Sequence, residues 1–200
     1  MKMTAGGFEI IRLKFGSLSQ DAVDNINLIV ETCEKYKLSY PQTAYVLATT
    51  AWETARTFKP IEEYGKGKNR KYGTWYTNSK GVKYGIAGSD GSTYLYSDYP
   101  HLYYGMGFVQ LTWFDNYKFA GEQLGIDLLH NPHLALNAKY AAEILVRGFV
   151  QGWFTGKKIS DYINDKKKDL LGARRCINGN DKAKEIADIA VVMEKALRSY

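Results

Sequence analysis

The segment from Tyr45 to Gly73, around which the rest of the chain is organised, reads YVLATTAWETARTFKPIEEYGKGKNRKYG. Its first half predicts a buried helix, because apolar residues recur at the spacing of one helical face. These residues are Tyr45, Ala48, Trp52 and Ala55. The second half is a basic loop rich in glycine. The stretch therefore joins a helical part of the chain to an irregular part.

The limits of this helix can be predicted from its flanking residues. Ser39 and Gln42 have the spacing of a capping box, and Pro41 falls in the first turn, so the helix should begin near residue 40. Pro60 disfavours helical backbone at Lys59. We therefore expect the helix to end just before Pro60.

Three carboxylates lie in the same stretch. Glu53 is near the C-terminal end of the apolar helix, whereas Glu62 and Glu63 follow Pro60 on the loop. An apolar helix partly desolvates a carboxyl group, which favours its protonated form, and a solvated loop keeps a carboxylate ionised. Such a pair is the minimum machinery for cleaving a glycosidic bond. Taken alone, a glutamate such as Glu53 is more often a solvated or salt-bridged side chain than a catalytic one, and the pair by itself is a weak signal.

Composition limits the class of protein. Two hundred residues, with 45% hydrophobic and 24% charged residues, indicate one globular domain, or one domain with a large insertion. No apolar run is long enough for a transmembrane helix, and charged residues interrupt the first twenty residues, so neither membrane insertion nor a signal peptide is expected. The net charge of +6 suits an anionic polymer, either nucleic acid or bacterial cell wall, but no nucleic-acid motif is present. Cys33 and Cys176 are expected to be free buried thiols.

Most of the remaining chain has helical periodicity. Helices are predicted from Ser19 to about residue 36, from Asp115 to a stop at Gly125, from an Asn137 cap to about residue 153, and after an Asp181 cap. Shorter helical pieces are predicted near residue 160 and over 170–177.

Residues 60–104 differ from the rest of the chain. They contain seven glycines and nine of the sixteen tyrosines. An irregular segment of this length predicts a binding loop, while a twisted hairpin with aromatic cross-strand pairs is an equally good reading.

A metal site is not expected. His130 and His133 have a suggestive spacing, but Pro132 prevents a shared helical face and no third ligand is near in sequence.

Residues 104–117, YGMGFVQLTWFDNY, resemble the signature of glycoside hydrolase family 19, especially its bacteriophage endolysin branch. Four further segments are similar to family motifs in the same order: AWETA, PIEEYGKGKNRKYG, GIDLLHNPHLALN and RRCINGN. The resemblance covers residues from about 17 to 197.

The resemblance implies roles for individual residues. Glu53 matches the general acid, and Glu63 matches the general base, with Glu62 as the alternative if the loop alignment slips by one residue. Thr112 matches the hydroxyl residue that helps hold the attacking water. The implied sugar-binding residues are Tyr104, Gln110, Asn116 and Asn178.

Two positions depart from the family pattern. Trp52 stands where histidine is common, and Met106 stands where arginine is common. The first change keeps the proposed acid. The second removes a charge that could hold the carboxylates.

The implied fold is α+β and mainly α, lysozyme-like, with a helical body and a small irregular or β lobe at about residues 60–104 that form a cleft. Residues 1–200 are expected to be a single catalytic domain without a separate wall-binding domain, acting as a monomer.

The implied activity is inverting hydrolysis of the β-1,4 bond between N-acetylmuramic acid and N-acetylglucosamine in peptidoglycan, with no cofactor. A protein of this branch would remain in the host cytoplasm until a holin releases it. The alternatives are a chitinase and a catalytically inactive carbohydrate-binding protein.

Overall fold

The computed structural model describes residues 1–88 and 90–199. Six α-helices and seven short strands make up the regular structure of these residues. The helices are α1 (Ala5–Phe15), α2 (Gln20–Lys35), α3 (Tyr40–Glu53), α4 (Phe114–Leu124), α5 (Ala138–Gln151) and α6 (Ala183–Leu197). The strands are β1 (Ile61–Glu62), β2 (Tyr76–Thr77), β3 (Lys83–Ile86), β4 (Thr93–Leu95), β5 (Met106–Gly107), β6 (Ile163–Asn164) and β7 (Lys167–Lys168). This content confirms the predicted α+β, mainly α, class.

The chain divides into two compact units. The first, which we call the helical unit, contains Met1–Lys59 and Ala142–Tyr200. The second, the strand unit, contains Pro60–Ala141. The strand unit begins where the composition changes, but it continues well beyond the predicted limit of residue 104. No helix in the described ranges is both long and apolar enough to cross a membrane.

Helix α3 is the centre of the helical unit. It packs mainly against α6, which also packs against α1. Ser39 caps α3 as predicted, and its N–H donates to Gln42 Oε1 at 2.9 Å. The prediction of one apolar face was wrong, because the nine consecutive residues Thr43–Ala51 are all buried. Neighbouring elements surround this helix, so burial does not follow a helical period.

The end of α3 also differs from the prediction. The helix stops at Glu53 rather than just before Pro60. Ala55, Arg56 and Phe58 have φ values of 49°, 68° and 52°, which α-helix does not allow. The buried Thr54 hydroxyl holds this turn, since it donates to Thr50 O at 2.7 Å and accepts from the Phe58 N–H at 3.0 Å. A side-chain hydrogen bond thus ends the helix before the proline acts.

The other predicted helices are present with small changes. Ser19 caps α2, Gly125 ends α4 with φ 67°, and Asn137 Oδ1 accepts from the Lys139 N–H at the start of α5. The short helical pieces are 3-10 turns at Ile159–Asp161 and Gly172–Cys176. The predicted Asp181 cap was wrong, because Lys182, with φ 60°, occupies the cap position of α6. Both cysteines are free and buried, as expected.

The strand unit contains an antiparallel meander in the order β2-β3-β4. Tyr76 is paired with Tyr84, and their rings stack with centroids 5.7 Å apart. On β4 the Tyr94 ring stacks on Phe114 at 4.5 Å and meets Tyr103 edge-on at 5.4 Å. The contact between Tyr76 and Tyr84 confirms the aromatic cross-strand interpretation of residues 60–104. Tyr94 and Tyr103 are buried in the core of the strand unit, whereas Tyr64 and Tyr96 of the same segment are exposed.

The turn after Glu53 gives a prediction on stability. Thr54→Val preserves the shape of the side chain but leaves the buried Phe58 N–H without its acceptor, which should lower the free energy of unfolding by about 1–3 kcal/mol. Urea unfolding measures the change. Thr57→Val is the matched control, because Thr57 is exposed: its hydroxyl donates to Thr54 O at 2.7 Å and accepts from the Lys59 N–H, at 3.3 Å and at the surface, so no buried N–H loses its acceptor. An equal loss in both variants would contradict the role given to Thr54.

Candidate active site

Glu53 is the last residue of α3, and its side chain is 19% exposed. Its Oε1 accepts a hydrogen bond from Arg174 Nη1 at 2.8 Å. Within the described ranges, no protein group bonds to Oε2. A carboxylate at a helix C-terminus meets the negative end of the helix dipole, so a cationic partner is favourable here. Glu53 is therefore held through one oxygen while the other is left for a ligand.

Arg174 is the partner of Glu53 that sequence reasoning missed. It lies in the 3-10 turn Gly172–Cys176, and only 5% of its side chain is exposed. A buried guanidinium must be paired, and Arg174 Nε also donates to the Asp181 carbonyl at 3.0 Å. The segment RRCINGN resembles a family motif, but nothing in its spacing indicates which arginine is buried. Arg174 is a positioning residue for Glu53.

Asn178 lies four residues after Arg174 and is exposed. Its backbone N–H donates to Arg174 O at 3.0 Å, and its Oδ1 accepts from the Gly179 N–H at 2.8 Å. The side-chain amide nitrogen of Asn178, Nδ2, makes no hydrogen bond within the described ranges. The sugar-binding role of Asn178 stays a prediction.

In the strand unit, the pairing of β1 with β5 sets the directions of Glu62 and Glu63. Ile61 is opposite Gly107, and Glu62 is opposite Met106. The Glu63 N–H donates to Gly105 O at 2.7 Å, so the register continues by one residue. Successive side chains of a strand point to opposite faces. The two glutamates therefore have different surroundings.

Glu62 belongs to a network of charged and phenolic groups. Its Oε1 accepts from the Tyr104 hydroxyl at 2.6 Å and lies 3.3 Å from His133 Nε2, while Lys66 Nζ lies 3.4 Å from Oε2. The hydrogen bond from Tyr104 and, after it, the charges of Lys66 and His133 hold the pKa of Glu62 below its ordinary value, against the opposing effect of burial. Burial and then the bond to Glu62 raise the pKa of Tyr104. Both oxygens of Glu62 are thus engaged by its own unit.

Glu63 is held by neutral donors. Tyr72 OH donates to Oε1 at 3.0 Å, and the Gly105 N–H donates to Oε2 at 3.0 Å. Burial and then the bond to Glu63 raise the pKa of Tyr72 to about 12, so this phenol remains a donor at neutral pH. The Tyr72 ring is itself fixed edge-on against Trp113, with centroids 4.9 Å apart. Glu63 therefore has a defined position, and no cation within the described ranges is bonded to it.

Gly105 separates Glu63 from Thr112. Met106 forms an antiparallel bridge with Leu111, which places Thr112 beside Gly105. Neighbouring strands are about 4.8 Å apart, so Glu63 and Thr112 flank a glycine that has no side chain of its own. Thr112 is half-buried, and its hydroxyl makes no hydrogen bond within residues 1–88 and 90–199. A carboxylate and an unused hydroxyl thus lie on either side of Gly105.

The remaining predicted sugar-binding residues have different surroundings. Gln110 Nε2 donates to Ile61 O at 3.0 Å and to Gly107 O at 3.2 Å, so its amide joins β1 to β5 and only Oε1 is left for a ligand. Tyr104 is buried, and its hydroxyl is used by Glu62. Asn116 is half-buried in the first turn of α4. These geometries leave the sugar-binding roles of the three residues as predictions.

The histidines are not arranged as metal ligands. His130 Nδ1 contacts Asp127 Oδ2 at 2.8 Å, whereas His133 contacts Glu62. The described part of the chain contains no group of three or more His, Cys, Asp or Glu side chains suited to hold a metal ion.

Comparison with known proteins shows which solved structures share the fold of this chain. No protein-family model matches the chain. Chitinase C from Streptomyces griseus HUT6037 superposes with a TM-score of 0.60 over 97% of this chain and 78% of that chain, at 19% identity. A mutant of chitinase C superposes with a TM-score of 0.57 over 96% of this chain and 92% of that chain, also at 19% identity. The chain therefore has the fold of chitinase C.

One curated sequence is similar over a shorter range. Basic endochitinase B of Arabidopsis thaliana is 40% identical over 55 residues, which are 28% of this chain. The match spans only 16% of the plant enzyme.

The position of Gly105 gives a prediction on activity. A Cβ atom at this residue would lie 2.9 Å from Gln110 Oε1 and 3.3 Å from Glu63 Oε2. Gly105→Ala should therefore displace the Glu63 carboxylate and lower the rate of glycan hydrolysis by about 10²-fold. In a Glu63→Gln background the same substitution should have almost no further effect on the rate. Additive losses would show that Gly105 does not act through Glu63.

The network around Glu62 gives a prediction on pH dependence. Its pKa lies below the ordinary value of 4.5, so its interactions stabilise the folded protein above that pH. This contribution is lost as the pH falls through the lower folded pKa. Between about pH 5 and pH 3, the free energy of unfolding, followed by circular dichroism, should depend less on pH in Glu62→Gln than in the wild type. The same pH dependence in both proteins would contradict this account.

Proposed function

We propose that the protein is an inverting glycoside hydrolase that cleaves the β-1,4 bond between N-acetylmuramic acid and N-acetylglucosamine in peptidoglycan. The observation that carries this proposal is the contrast between Glu53, bonded to a buried guanidinium, and Glu63, bonded through both oxygens to neutral donors. The fold shared with chitinase C and the resemblance of five segments to family 19 support it.

Glu53 is the general acid of the proposed reaction. Its proton passes to the glycosidic oxygen as the bond from that oxygen to the anomeric carbon breaks. Proton donation leaves a carboxylate, and the Arg174 guanidinium bonded to Oε1 stabilises that negative charge. Arg174 thus has a role in the reaction without touching the sugar.

Glu63 is the general base. It removes a proton from a water molecule whose oxygen then bonds to the opposite face of the anomeric carbon, so the configuration inverts. The Thr112 hydroxyl supplies a second anchor for this water. The two donors to the Glu63 carboxylate, the Tyr72 hydroxyl and the Gly105 N–H, are neutral. They therefore orient Glu63 without pairing its charge to a cation. Glu62 is less suited to this role, because Lys66 already compensates its charge and the Tyr104 hydroxyl already donates to it.

In its biological role the protein is proposed to be a bacteriophage endolysin that causes host lysis. It would remain in the host cytoplasm until a holin opens the membrane, and would then act as a monomer on the cell wall. The similarity to chitinase C and basic endochitinase B favours a second candidate, hydrolysis of β-1,4-linked N-acetylglucosamine polymers. Loss of a carboxylate would instead indicate a binding protein, but Glu53, Glu62 and Glu63 are all present.

Digestion of purified peptidoglycan tests the proposal. We expect N-acetylmuramic acid at the new reducing ends by mass spectrometry, with the α-anomer formed first by NMR. Glu53→Gln and Glu63→Gln should each lower the rate by about 10²- to 10⁴-fold, whereas Glu62→Gln should retain most of the activity. Glutamine at position 53 still offers Arg174 an oxygen, so circular dichroism should show a folded protein.

Each other outcome has a defined meaning. N-acetylglucosamine at the reducing end would indicate a glucosaminidase. Hydrolysis of chitin without cleavage of peptidoglycan would establish the second candidate. A first-formed β-anomer would contradict inversion, and a larger loss in Glu62→Gln than in Glu63→Gln would transfer the base to Glu62. Wild-type activity of Glu53→Gln would contradict its role as the acid.

A further inference from the structure

The positive charge of the protein is concentrated in one short part of the strand unit. Residues 60–88 contain six basic and two acidic side chains, a net charge of +4, whereas the whole chain carries +6. The two acidic side chains are Glu62 and Glu63, and both are engaged by the contacts described above. The basic side chains are Lys66, Lys68, Arg70, Lys71, Lys80 and Lys83.

Four of these cations lie on a loop of consecutive turns, residues 64–71, which we call the basic loop. Backbone hydrogen bonds of 2.8–2.9 Å close its turns, from Lys66 N to Glu63 O, from Lys68 N to Gly65 O and from Arg70 N to Gly67 O. The loop is also fixed by a close approach of Gly67 to Gly73, where a Cβ on Gly73 would lie 2.2 Å from Gly67 O. The basic loop is therefore a defined surface.

Three side chains of the basic loop are available to an outside partner. Lys68, Arg70 and Lys71 are exposed, and none forms an ion pair within residues 1–88 and 90–199. By contrast, Lys66 is paired with Glu62, and Lys83 lies 4.0 Å over the Tyr96 ring. Grouped cations without acidic partners attract anions at low and moderate ionic strength.

The basic loop is directly connected to the proposed base. It begins at the residue after Glu63 and ends at the residue before Tyr72, whose hydroxyl donates to Glu63. A polymer bound at Glu63 therefore comes within reach of long, flexible cationic side chains. A partner with negative charges beside its glycan chain would complement this arrangement.

We propose that the basic loop binds the free carboxylates of the peptide stems of peptidoglycan and so favours this anionic glycan over an uncharged one. This inference rests on the function proposed above, and it assigns the choice of substrate class to Lys68, Arg70 and Lys71. Chitin carries no such carboxylates, so it gains nothing from the loop. The contribution comes from exposed charges, so it decreases as salt is added.

Sedimentation with insoluble peptidoglycan measures the effect. Two proteins are compared, and both carry Glu53→Gln so that the polymer stays intact. One of them has the native basic loop, and the other also carries Lys68→Gln, Arg70→Gln and Lys71→Gln. On native peptidoglycan at low ionic strength, the triple substitution should raise the apparent Kd about tenfold, equivalent to about 1.4 kcal/mol. On peptidoglycan whose carboxyl groups have been converted to amides, the two proteins should bind equally.

The matched control removes the same charge elsewhere. Lys14→Gln, Lys157→Gln and Lys166→Gln together alter exposed lysines of the helical unit and should leave Kd nearly unchanged. Exchange within the loop, Lys68→Arg, Arg70→Lys and Lys71→Arg, should keep binding near the Glu53→Gln level and so exclude a folding defect. An equal effect of the control, no effect of the loop substitutions, or an equal loss on amidated peptidoglycan would each overturn the proposal.

Failure of the loop proposal can be told apart from failure of the proposed function. The reducing-end assay shows whether wild-type protein cleaves peptidoglycan, and it does not depend on the loop variants. Normal cleavage together with unchanged binding of the loop variant overturns the loop proposal alone. No cleavage by the wild type overturns the function, and with it the assignment of the loop to a substrate.

Discussion

The helical unit depends on one buried positive charge. Helix α3 is surrounded by protein over most of its length, and its C-terminal end carries the carboxylate of Glu53. Arg174, from a different part of the sequence, compensates this charge through Nη1. The Nε of the same guanidinium donates to the Asp181 carbonyl. A guanidinium so deeply buried cannot lose its partners without a large cost. The position of Glu53 is therefore tied to the stability of the fold.

The strand unit depends on a different constraint, the close approach of backbone segments. Gly105 lets the Glu63 carboxylate and the Gln110 amide lie against the main chain, and Gly67 meets Gly73 at the base of the basic loop. A side chain at any of these positions would occupy space already filled. The proposed base and the basic loop are thus both positioned by glycine contacts within one unit.

Much of the fold could be predicted from local signals. Capping at Ser19, Ser39 and Asn137 and the glycine stop at Gly125 depend on residues close in sequence, and the structure contains all four. The end of α3 could not be predicted, because the Thr54 hydrogen bonds compete with helix continuation and have no strong sequence signal. The resemblance to a known family identified the candidate carboxylates, but it did not show their surroundings. The Arg174 bond joins residues 121 positions apart, a relation that no local pattern contains.

The alternation of side chains along β1 has a consequence for comparing related sequences. Glu62 and Glu63 are neighbours of the same residue type. A sequence alignment that contains a gap of one residue can therefore match either of them to the same glutamate of a relative, with little change in score. In three dimensions they are not interchangeable, because each points to its own side of the strand and meets its own donors. Their pairing with the neighbouring strand distinguishes the two, because Glu62 is opposite Met106 of β5 and the Glu63 N–H donates to Gly105 O. Homologous carboxylates in distant relatives should therefore be matched by strand pairing, since identity of residue type carries no information at this position.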